Sequence, residues 1–292
     1  MGVGSSTGGQ WGKGLSQEEY MNKDECILLD TDDAVIGHTS KKKAHVFSHL
    51  APRGILHRAF SVFLFDHEGK LLLQQRAADK VTFRGVWTNT CCSHPLHGYN
   101  PTEVDTPEDV KTGTTMGVKR AALRKLDQEL GIPASEVDIN RFKFLTRLHY
   151  WAADVVTHGK ESPWGEHEID YILFYKLKEG EELTIKPNPE EVSDIKWVTD
   201  KELVSQINDS KLTDKDGNNL IWSPWFRIIV ERFLVPLWWK DLNLTMSTNQ
   251  FVDGNIHRFD CTEEHFGGAG KAGAWLSLIS KDEAKEEQKK ES

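Results

Sequence analysis

Cysteine is scarce in this chain of 292 residues, which contains four: Cys26, Cys91, Cys92 and Cys261. They are too few and too irregularly spaced for a disulfide framework, so we expect a reducing compartment. The paired Cys-x-x-Cys spacing of zinc sites is also absent, which weakens the hypothesis of a non-catalytic zinc module. Cys91 and Cys92 are adjacent and do not readily form an unstrained disulfide with each other. The adjacency of these two cysteines in the sequence therefore needs another explanation.

Long apolar runs are missing as well, and none approaches the roughly eighteen residues of a membrane span. The formal net charge is −9, from 36 basic and 45 acidic residues. Such a chain lacks the basic field that attracts phosphate backbones or anionic lipids, so we expect neither nucleic acid nor a membrane as a partner. A small anion remains a candidate ligand wherever basic residues gather locally.

The two ends differ in composition from the rest. The glycine-rich start formally fits a myristoylation motif at Gly2 and Ser6, although Gly/Ser-rich starts often match that motif and are usually disordered. It shows no secretory signal or convincing transit peptide, so we expect a cytoplasmic protein. The charged end, KDEAKEEQKKES, has no core-forming residues. We expect a flexible extension over 1–24, a single domain over 25–253, and a C-terminal extension over 254–292.

Hydrophobic periodicity within the central region predicts one α/β domain with a mixed sheet. A hairpin is predicted over RAFSVFLFDHEGKLLLQQRA, and a helix over GVKRAALRKLDQELGIP that ends at Gly131. Further strands are predicted for FKFLTRLHYWA, EIDYILFYKL and IKWV. Further helices are predicted for KELVSQI and PWFRIIVERFLVPLWW.

Two carboxylates share one face of the strand predicted over WGEHEIDYILFY. Side chains alternate along a strand, so Glu166 and Glu168 point the same way while His167 points the other way. In a partly buried site, two such carboxylates must share a proton or hold a cation. A solvated strand end is the equally open alternative.

Other residues offer similar chemistry. Glu129 lies in the last turn of its helix, where the helix dipole disfavours a carboxylate unless it is exposed or binds a cation. His45 lies in a basic loop, His57 begins a strand, and His94 follows the cysteine pair. Each histidine alone is more often a surface or core residue. With Glu166 and Glu168 they would form a nitrogen and oxygen site for a divalent metal.

Basic residues bracket the histidine and cysteine segments of this acidic chain. They are Lys41 to Lys43, Arg76, Lys80 and Arg84. Solubility is one explanation for them. Gathered around a cleft, they would instead bind a compact anion such as a diphosphate.

Five motifs in order carry a family resemblance: HRAFSVFLF, KLLLQQR, TNTCCSHP, WGEHEIDYI and SPWF. The chain resembles the type I isopentenyl diphosphate isomerases of eukaryotes over roughly Glu25 to Asp253. The resemblance implies a Nudix-type α/β/α sandwich. It also implies a reversible 1,3-allylic proton shift between isopentenyl and dimethylallyl diphosphate, with cytosol, plastid or peroxisome as the compartment and a monomer as the expected state.

The resemblance assigns roles to individual residues. Cys92 and Glu168 match the catalytic pair, and Tyr150 matches a tyrosine that assists Glu168. Divalent metal ligands are matched by His45, His57, His94, Glu166 and Glu168. Glu129 matches a carboxylate that helps hold Mg²⁺ on the diphosphate. Substrate-binding positions are matched by Lys41, Arg76, Lys80, Ser93 and Trp225. The resemblance thus implies Mg²⁺ and a second divalent ion, Mg²⁺, Mn²⁺ or Zn²⁺.

One stretch departs from the pattern of Nudix hydrolases. Their glutamate-rich box corresponds here to RKLDQELGI, in which Lys125 and Gln128 replace two of three glutamates and Glu129 remains. A diphosphate hydrolase is therefore the alternative rather than the leading hypothesis. An enzyme with Cys92 as a covalent nucleophile is a weaker one, because no acyl substrate is implied.

Overall fold

A computed structural model describes residues 17–48, 50–159, 162–209, 217, 221–260 and 279–280. The motif at Gly2 and Ser6, Cys261 and the charged end lie outside the described residues.

The described chain alternates strands and helices. The strands are β1 (Glu25–Leu29), β2 (Val35–Ser40), β3 (His57–Phe65), β4 (Leu71–Arg76), β5 (Trp87–Thr88), β6 (Cys91–Ser93), β7 (Lys143–Ala153), β8 (Gly165–Lys176), β9 (Val192–Val198), β10 (Ile256–Asp260) and β11 (Ile279–Ser280). The α-helices are α1 (Gln17–Lys23), α2 (Lys41–His45), α3 (Pro107–Thr112), α4 (Met116–Leu130), α5 (Val155–His158), α6 (Asp200–Asn208), α7 (Pro224–Ile229) and α8 (Leu242–Ser247). A π-helical segment, Val230–Trp238, continues α7.

Strand β3 is the centre of the sheet and is buried along its whole length. It pairs in parallel with β8 along one edge and antiparallel with β1, β6 and β4 along the other. Strand β7 pairs antiparallel with β8, and β10 extends the sheet by pairing in parallel with β7. The predicted mixed sheet is confirmed.

Two hydrophobic clusters lie on the two faces of this sheet because strand side chains alternate. On one face, α4 packs with Phe60, Val62 and Tyr171. On the other face, α7 and the π-helical segment pack with Phe63 and Phe174. Helices thus cover both faces, as in an α/β/α sandwich.

Helix α4 ends where the sequence predicts. Gly131 adopts a left-handed conformation (φ +61°), and its N–H donates to the carbonyls of Asp127 and Leu126. A Cβ at this glycine would meet the Lys186 carbonyl oxygen at 2.4 Å, so a side chain does not fit. The cap fixes the last turn of α4 and with it the position of Glu129.

Three local expectations need correction. The two strands of the predicted hairpin share only the pair Phe65 and Leu71, because β4 turns away to pair with β5 and β9. The helix predicted from Pro224 changes from α to π geometry at Val230. His45 ends the short helix α2 rather than lying in a loop. Among the described residues, no helix is long and apolar enough to cross a membrane.

Candidate active site

The adjacent cysteines lie on β6 and point to opposite faces of the sheet. Cys91 is fully buried in the cluster against α4, where its Sγ lies 3.5 Å from Oε2 of Glu129. Cys92 pairs with Ser61 of β3 and packs beside the other cluster, on the face that carries the cavity. Strand alternation therefore separates a packing cysteine from one that is available for chemistry.

Strand β8 supplies three carboxyl groups to that same face. Glu166, Glu168 and Asp170 alternate along the strand and are all buried. Oδ2 of Asp170 accepts a hydrogen bond from Ser61 at 2.8 Å. Burial raises the pKa of Asp170 to about 8. Asp170 was not predicted from the sequence, although Asp170 lies two residues after Glu168 and strand alternation places both on the same face.

Two of these carboxyl groups belong to a cluster of five buried side chains. They come from α2, β3, the end of β6 and β8, and their ligand atoms lie within 4.8 Å of one another: His45, His57, His94, Glu166 and Glu168. The predicted metal-ligand group is thus brought together by elements that are far apart in sequence.

Unpaired polar atoms in this cluster fit a bound cation. His45 and His57 use Nδ1 to donate to the carbonyls of Lys41 and Ile55, at 2.6 and 2.7 Å, so each Nε2 carries a lone pair. The Nε2 of His45 lies 2.8 Å from Oε2 of Glu166, and within the described part of the chain both of these acceptors lack a hydrogen-bond partner. Two acceptors at that distance repel unless a proton or a metal ion lies between them. Histidine nitrogens and carboxylate oxygens are ligands of divalent metal ions.

The two glutamates of the cluster differ in their affinity for protons. Burial raises the pKa of Glu168, and the nearby charge of Glu166 raises it further. Burial also opposes ionisation of Glu166, but His45 and Arg76 outweigh it and lower its pKa. Burial lowers the pKa of His57 to about 3, which keeps that imidazole neutral. Of the two carboxyl groups, Glu166 therefore ionises more readily and Glu168 holds a proton more strongly.

Cys92 and Tyr150 complete the set of proton-bearing groups. Tyr150 donates its hydroxyl to Oε2 of Glu168 across the β7–β8 pair. Burial raises the pKa of the Cys92 thiol to about 12, although Arg76 opposes the shift. Cys92 therefore remains a thiol at neutral pH.

Arg76 and Trp225 form part of the cavity wall. The Arg76 guanidinium donates to the carbonyls of Phe83 (3.0 Å) and Thr82 (2.9 Å), which fix its orientation. Its Cζ lies 6.0 Å from the centre of the Trp225 ring. The wall combines a fixed cation with an aromatic surface.

A second group of charges lies where α4 meets the cavity. Glu129 is bonded by Lys125 at 3.0 Å and by Gln74 at 3.0 Å. Lys80 is paired with Glu191. Burial opposes the charge on Glu129, but Lys125 and Lys80 outweigh it and lower its pKa. The carboxylate of Glu129 is thus held ionised among lysines.

The cavity brings together nearly all of the residues singled out from the sequence. Its lining includes Lys41, His45, Arg76, Lys80, Cys92, Ser93, His94, Glu129, Tyr150, Glu166, Glu168 and Trp225. His57 does not line the cavity but belongs to the adjacent metal-ligand cluster. Thr82 and Met21 also line the cavity, but they were not predicted because no sequence motif marks them.

Comparison with known proteins identifies the family. Residues 55–222 match the NUDIX domain. The isopentenyl-diphosphate delta-isomerase of Candida albicans is 43% identical over 84% of this chain and 82% of its own length. That of Dictyostelium discoideum is 45% identical over 81% of this chain and 90% of its own. "Isopentenyl-diphosphate Delta-isomerase 1, chloroplastic" of Cannabis sativa is 45% identical over 76% and 70%. The chain belongs to the NUDIX family and, within it, to the isopentenyl-diphosphate delta-isomerases.

Proposed function

We propose that this protein interconverts isopentenyl diphosphate and dimethylallyl diphosphate by a 1,3-allylic proton shift. The observation that carries the proposal is the presence of two proton-bearing groups, Cys92 and Glu168, on different strands that face one cavity. One group protonates the alkene and is left ionised; the other enters the reaction ionised, removes a proton from the opposite side of the tertiary carbocation and is left protonated; the roles reverse for the return reaction. No covalent bond to the enzyme is needed.

The burial of the reacting groups supports this chemistry. A tertiary carbocation is trapped by water, so the site must exclude water and offer π or negative charge nearby. Trp225 is 3% exposed and Tyr150 is 1% exposed. In this proposal, the Trp225 ring faces the hydrocarbon part of the substrate. Tyr150 holds Glu168 in position through its hydroxyl.

A divalent cation fits the cluster of His45, His57, His94, Glu166 and Glu168. When bound, it would neutralise the two carboxylates and set how strongly Glu168 holds its proton. His45 and His57 are oriented for this role by the carbonyls that accept from their Nδ1 atoms. Mg²⁺, Mn²⁺ and Zn²⁺ are each compatible with these donors.

The diphosphate end of the substrate is assigned to the basic side of the cavity. Lys41, Arg76, Lys80 and Ser93 would bind its oxygens, and Glu129 would help hold a Mg²⁺ ion against it. Arg76 already has two of its N–H groups committed to backbone carbonyls. The orientation of its remaining N–H groups is therefore set by the protein before a ligand binds.

The structure around Glu129 weighs against the hydrolase alternative. Lys125 stands where the hydrolase box has a glutamate, and it forms an ion pair with Glu129 at 3.0 Å. One carboxylate beside a lysine gathers less metal than three carboxylates do. The names of the relatives also favour isomerisation.

The setting of the reaction is the remaining part of the proposal. We propose a monomer that acts on a small allylic or homoallylic diphosphate in the cytoplasm. The name of the Cannabis sativa relative refers to the chloroplast, which makes the plastid the first alternative and the peroxisome the second.

Nuclear magnetic resonance of the reaction tests the proposal. Purified protein is incubated with isopentenyl diphosphate and Mg²⁺, and ¹H and ³¹P spectra are recorded over time. Isomerisation gives the two methyl signals of dimethylallyl diphosphate with the diphosphate intact. Release of phosphate with the double bond unmoved would instead support the hydrolase, and an unchanged substrate would contradict both activities.

A further inference from the structure

The hydroxyl of Thr88 lies between the strand of the adjacent cysteines and the helix that carries Trp225. Thr88 ends β5 and is fully buried. Its Oγ1 has three polar neighbours: Oδ1 of Asn89 at 2.9 Å, Oγ of Ser223 at 2.8 Å and Sγ of Cys92 at 4.0 Å. A threonine hydroxyl has one hydrogen to donate and two lone pairs that accept. The three neighbours therefore use its full capacity, and one of them receives its hydrogen.

The amide of Asn89 decides which neighbour receives that hydrogen. Its Nδ2 donates to the carbonyls of Val62 at 3.1 Å and Cys91 at 2.9 Å, so turning the amide round would lose both bonds. Oδ1 of Asn89 therefore faces Thr88, and an amide oxygen only accepts. Thr88 donates to Asn89, which leaves its two lone pairs for the hydroxyl of Ser223 and the thiol of Cys92.

Ser223 shows the same network from the side of the helix. It occupies the N-cap position of α7, where a serine hydroxyl commonly accepts a hydrogen bond from an N–H of the first turn. Within the described part of the chain, Ser223 makes no such side-chain bond. Its fully buried hydroxyl lies against Thr88 instead. Because the hydrogen of Thr88 is already used, Ser223 is the donor of this pair.

The thiol of Cys92 therefore meets an acceptor. Among the described residues, Thr88 is the hydrogen-bond partner of its Sγ. The distance is long, as is consistent with a large sulfur atom and a weak S–H donor. Thr88 is not one of the described residues that line the cavity, whereas Cys92 is. Any influence of Thr88 on a substrate is thus exerted through Cys92.

We propose that Thr88 is a positioning residue for the thiol of Cys92. When Cys92 carries its proton, Thr88 accepts the S–H and so fixes the rotation of the thiol at the cavity wall. Through Ser223, the same hydroxyl ties the thiol to the start of α7, which carries Trp225. The effect on catalysis rests on the proposed function, whereas the hydrogen bond itself does not.

Infrared spectroscopy of the S–H stretch tests this hydrogen bond without substrate. The band lies apart from other protein absorptions, and subtraction of the Cys92→Ala spectrum isolates the signal of Cys92. Thr88→Val replaces the hydroxyl by a methyl group, so we expect the band to move to higher frequency. Thr88→Ser should keep it in place. Thr90→Val is the matched control, because Thr90 is equally buried but its hydroxyl bonds the backbone of Leu64 and Leu72.

Steady-state kinetics with isopentenyl diphosphate tests the positioning role. Both valine variants lose buried hydrogen bonds, and both should melt at a lower temperature than the wild type. In Thr88→Val, kcat per folded molecule should fall roughly 3- to 10-fold with KM within about two-fold, because one hydrogen bond to the thiol is lost. Thr88→Ser should restore kcat, and Thr90→Val should retain it.

The outcomes separate this inference from the proposed function. Circular dichroism verifies folding, and Thr88→Ala removes the hydroxyl without adding a methyl group if Thr88→Val does not fold. An unshifted S–H band in the folded variant would overturn the proposal. A shifted band with wild-type kcat would also overturn it, because the bond would then have no positioning role. A wild type that does not isomerise the substrate would count against the proposed function, while the band would still decide the hydrogen bond.

Discussion

Cys92 and Glu168 lie on the two strands that pair with opposite edges of β3. Cys92 is opposite Ser61, and Glu168 is opposite His57, so the two groups approach the cavity from different positions along the same central strand. The hydroxyl of Ser61 donates a buried hydrogen bond of 2.8 Å to Oδ2 of Asp170. A substrate carbon chain between Cys92 and Glu168 would therefore have one proton-exchanging group on each side.

Tyr150 is expected to act through Glu168 rather than on the substrate. Tyr150→Phe removes the hydroxyl that donates to Oε2 of Glu168 while keeping the ring. We expect kcat to fall roughly 10- to 100-fold, with little change in KM, because a hydrogen bond to a proposed metal ligand is lost. Steady-state kinetics measures this. Tyr175→Phe, on the same sheet but in the other cluster, should leave kcat unchanged.

Retention of the buried metal should depend on His57 although it does not line the cavity. His57→Ala removes one of the five proposed ligands, and we expect the affinity for the divalent ion to fall at least about 10-fold. Elemental analysis after dialysis gives the metal content per chain, with His67→Ala as the matched variant. Full metal content in His57→Ala would contradict the ligand assignment.

The ion pair between Lys125 and Glu129 should contribute strongly to stability. Lys125→Ala leaves a buried carboxylate without its partner, and such losses lower the free energy of unfolding by about 3–5 kcal/mol. Mg²⁺ should recover part of that loss, because a cation can replace the lysine at Glu129. Urea unfolding with and without Mg²⁺ measures both effects. The exposed Lys111→Ala should show neither.

Alkylation reports the protonation state of Cys92. With a pKa of about 12, Cys92 is a thiol at pH 7.5, and its reaction with iodoacetamide should be roughly 100-fold slower than that of an ordinary cysteine. The rate should rise steadily as the pH increases toward 10, because more thiolate forms. Mass spectrometry of the peptide with Cys91 and Cys92 follows the modification, and Cys92→Ala shows any contribution from Cys91. Fast labelling whose rate is half-maximal near about pH 8.5 would instead show an unperturbed thiol.

Long periodic segments of this fold were predictable, whereas its short strands were not. The hydrophobic patterns of α4, β7 and β8 identify each segment as a helix or a strand, because each buries one face or both. Strands β5 and β6 have two and three residues, too few for periodicity, and β2 is a largely exposed edge strand. Strands β3 and β4 separate because β4 pairs with β9, which lies more than 100 residues further along the chain.

The site was predictable only in parts. The shared face of Glu166 and Glu168 follows from alternation along one strand, and the same rule would have found Asp170. The approach of His45, His57 and His94 to those carboxylates depends on tertiary structure, which spacing along the chain does not specify. The family resemblance, rather than periodicity, linked these residues to one site.

The central claim is that Cys92 and Glu168 each exchange a proton with the substrate. Its most direct test is ¹H nuclear magnetic resonance of isopentenyl diphosphate with Mg²⁺ in D₂O, comparing the wild type with Cys92→Ala and Glu168→Gln. The wild type should form dimethylallyl diphosphate with deuterium in its methyl group, and each variant should be slower by at least about 10², while Cys26→Ala and Glu68→Gln retain activity. Isomerisation with solvent deuterium at the wild-type rate in either catalytic variant would contradict the claim.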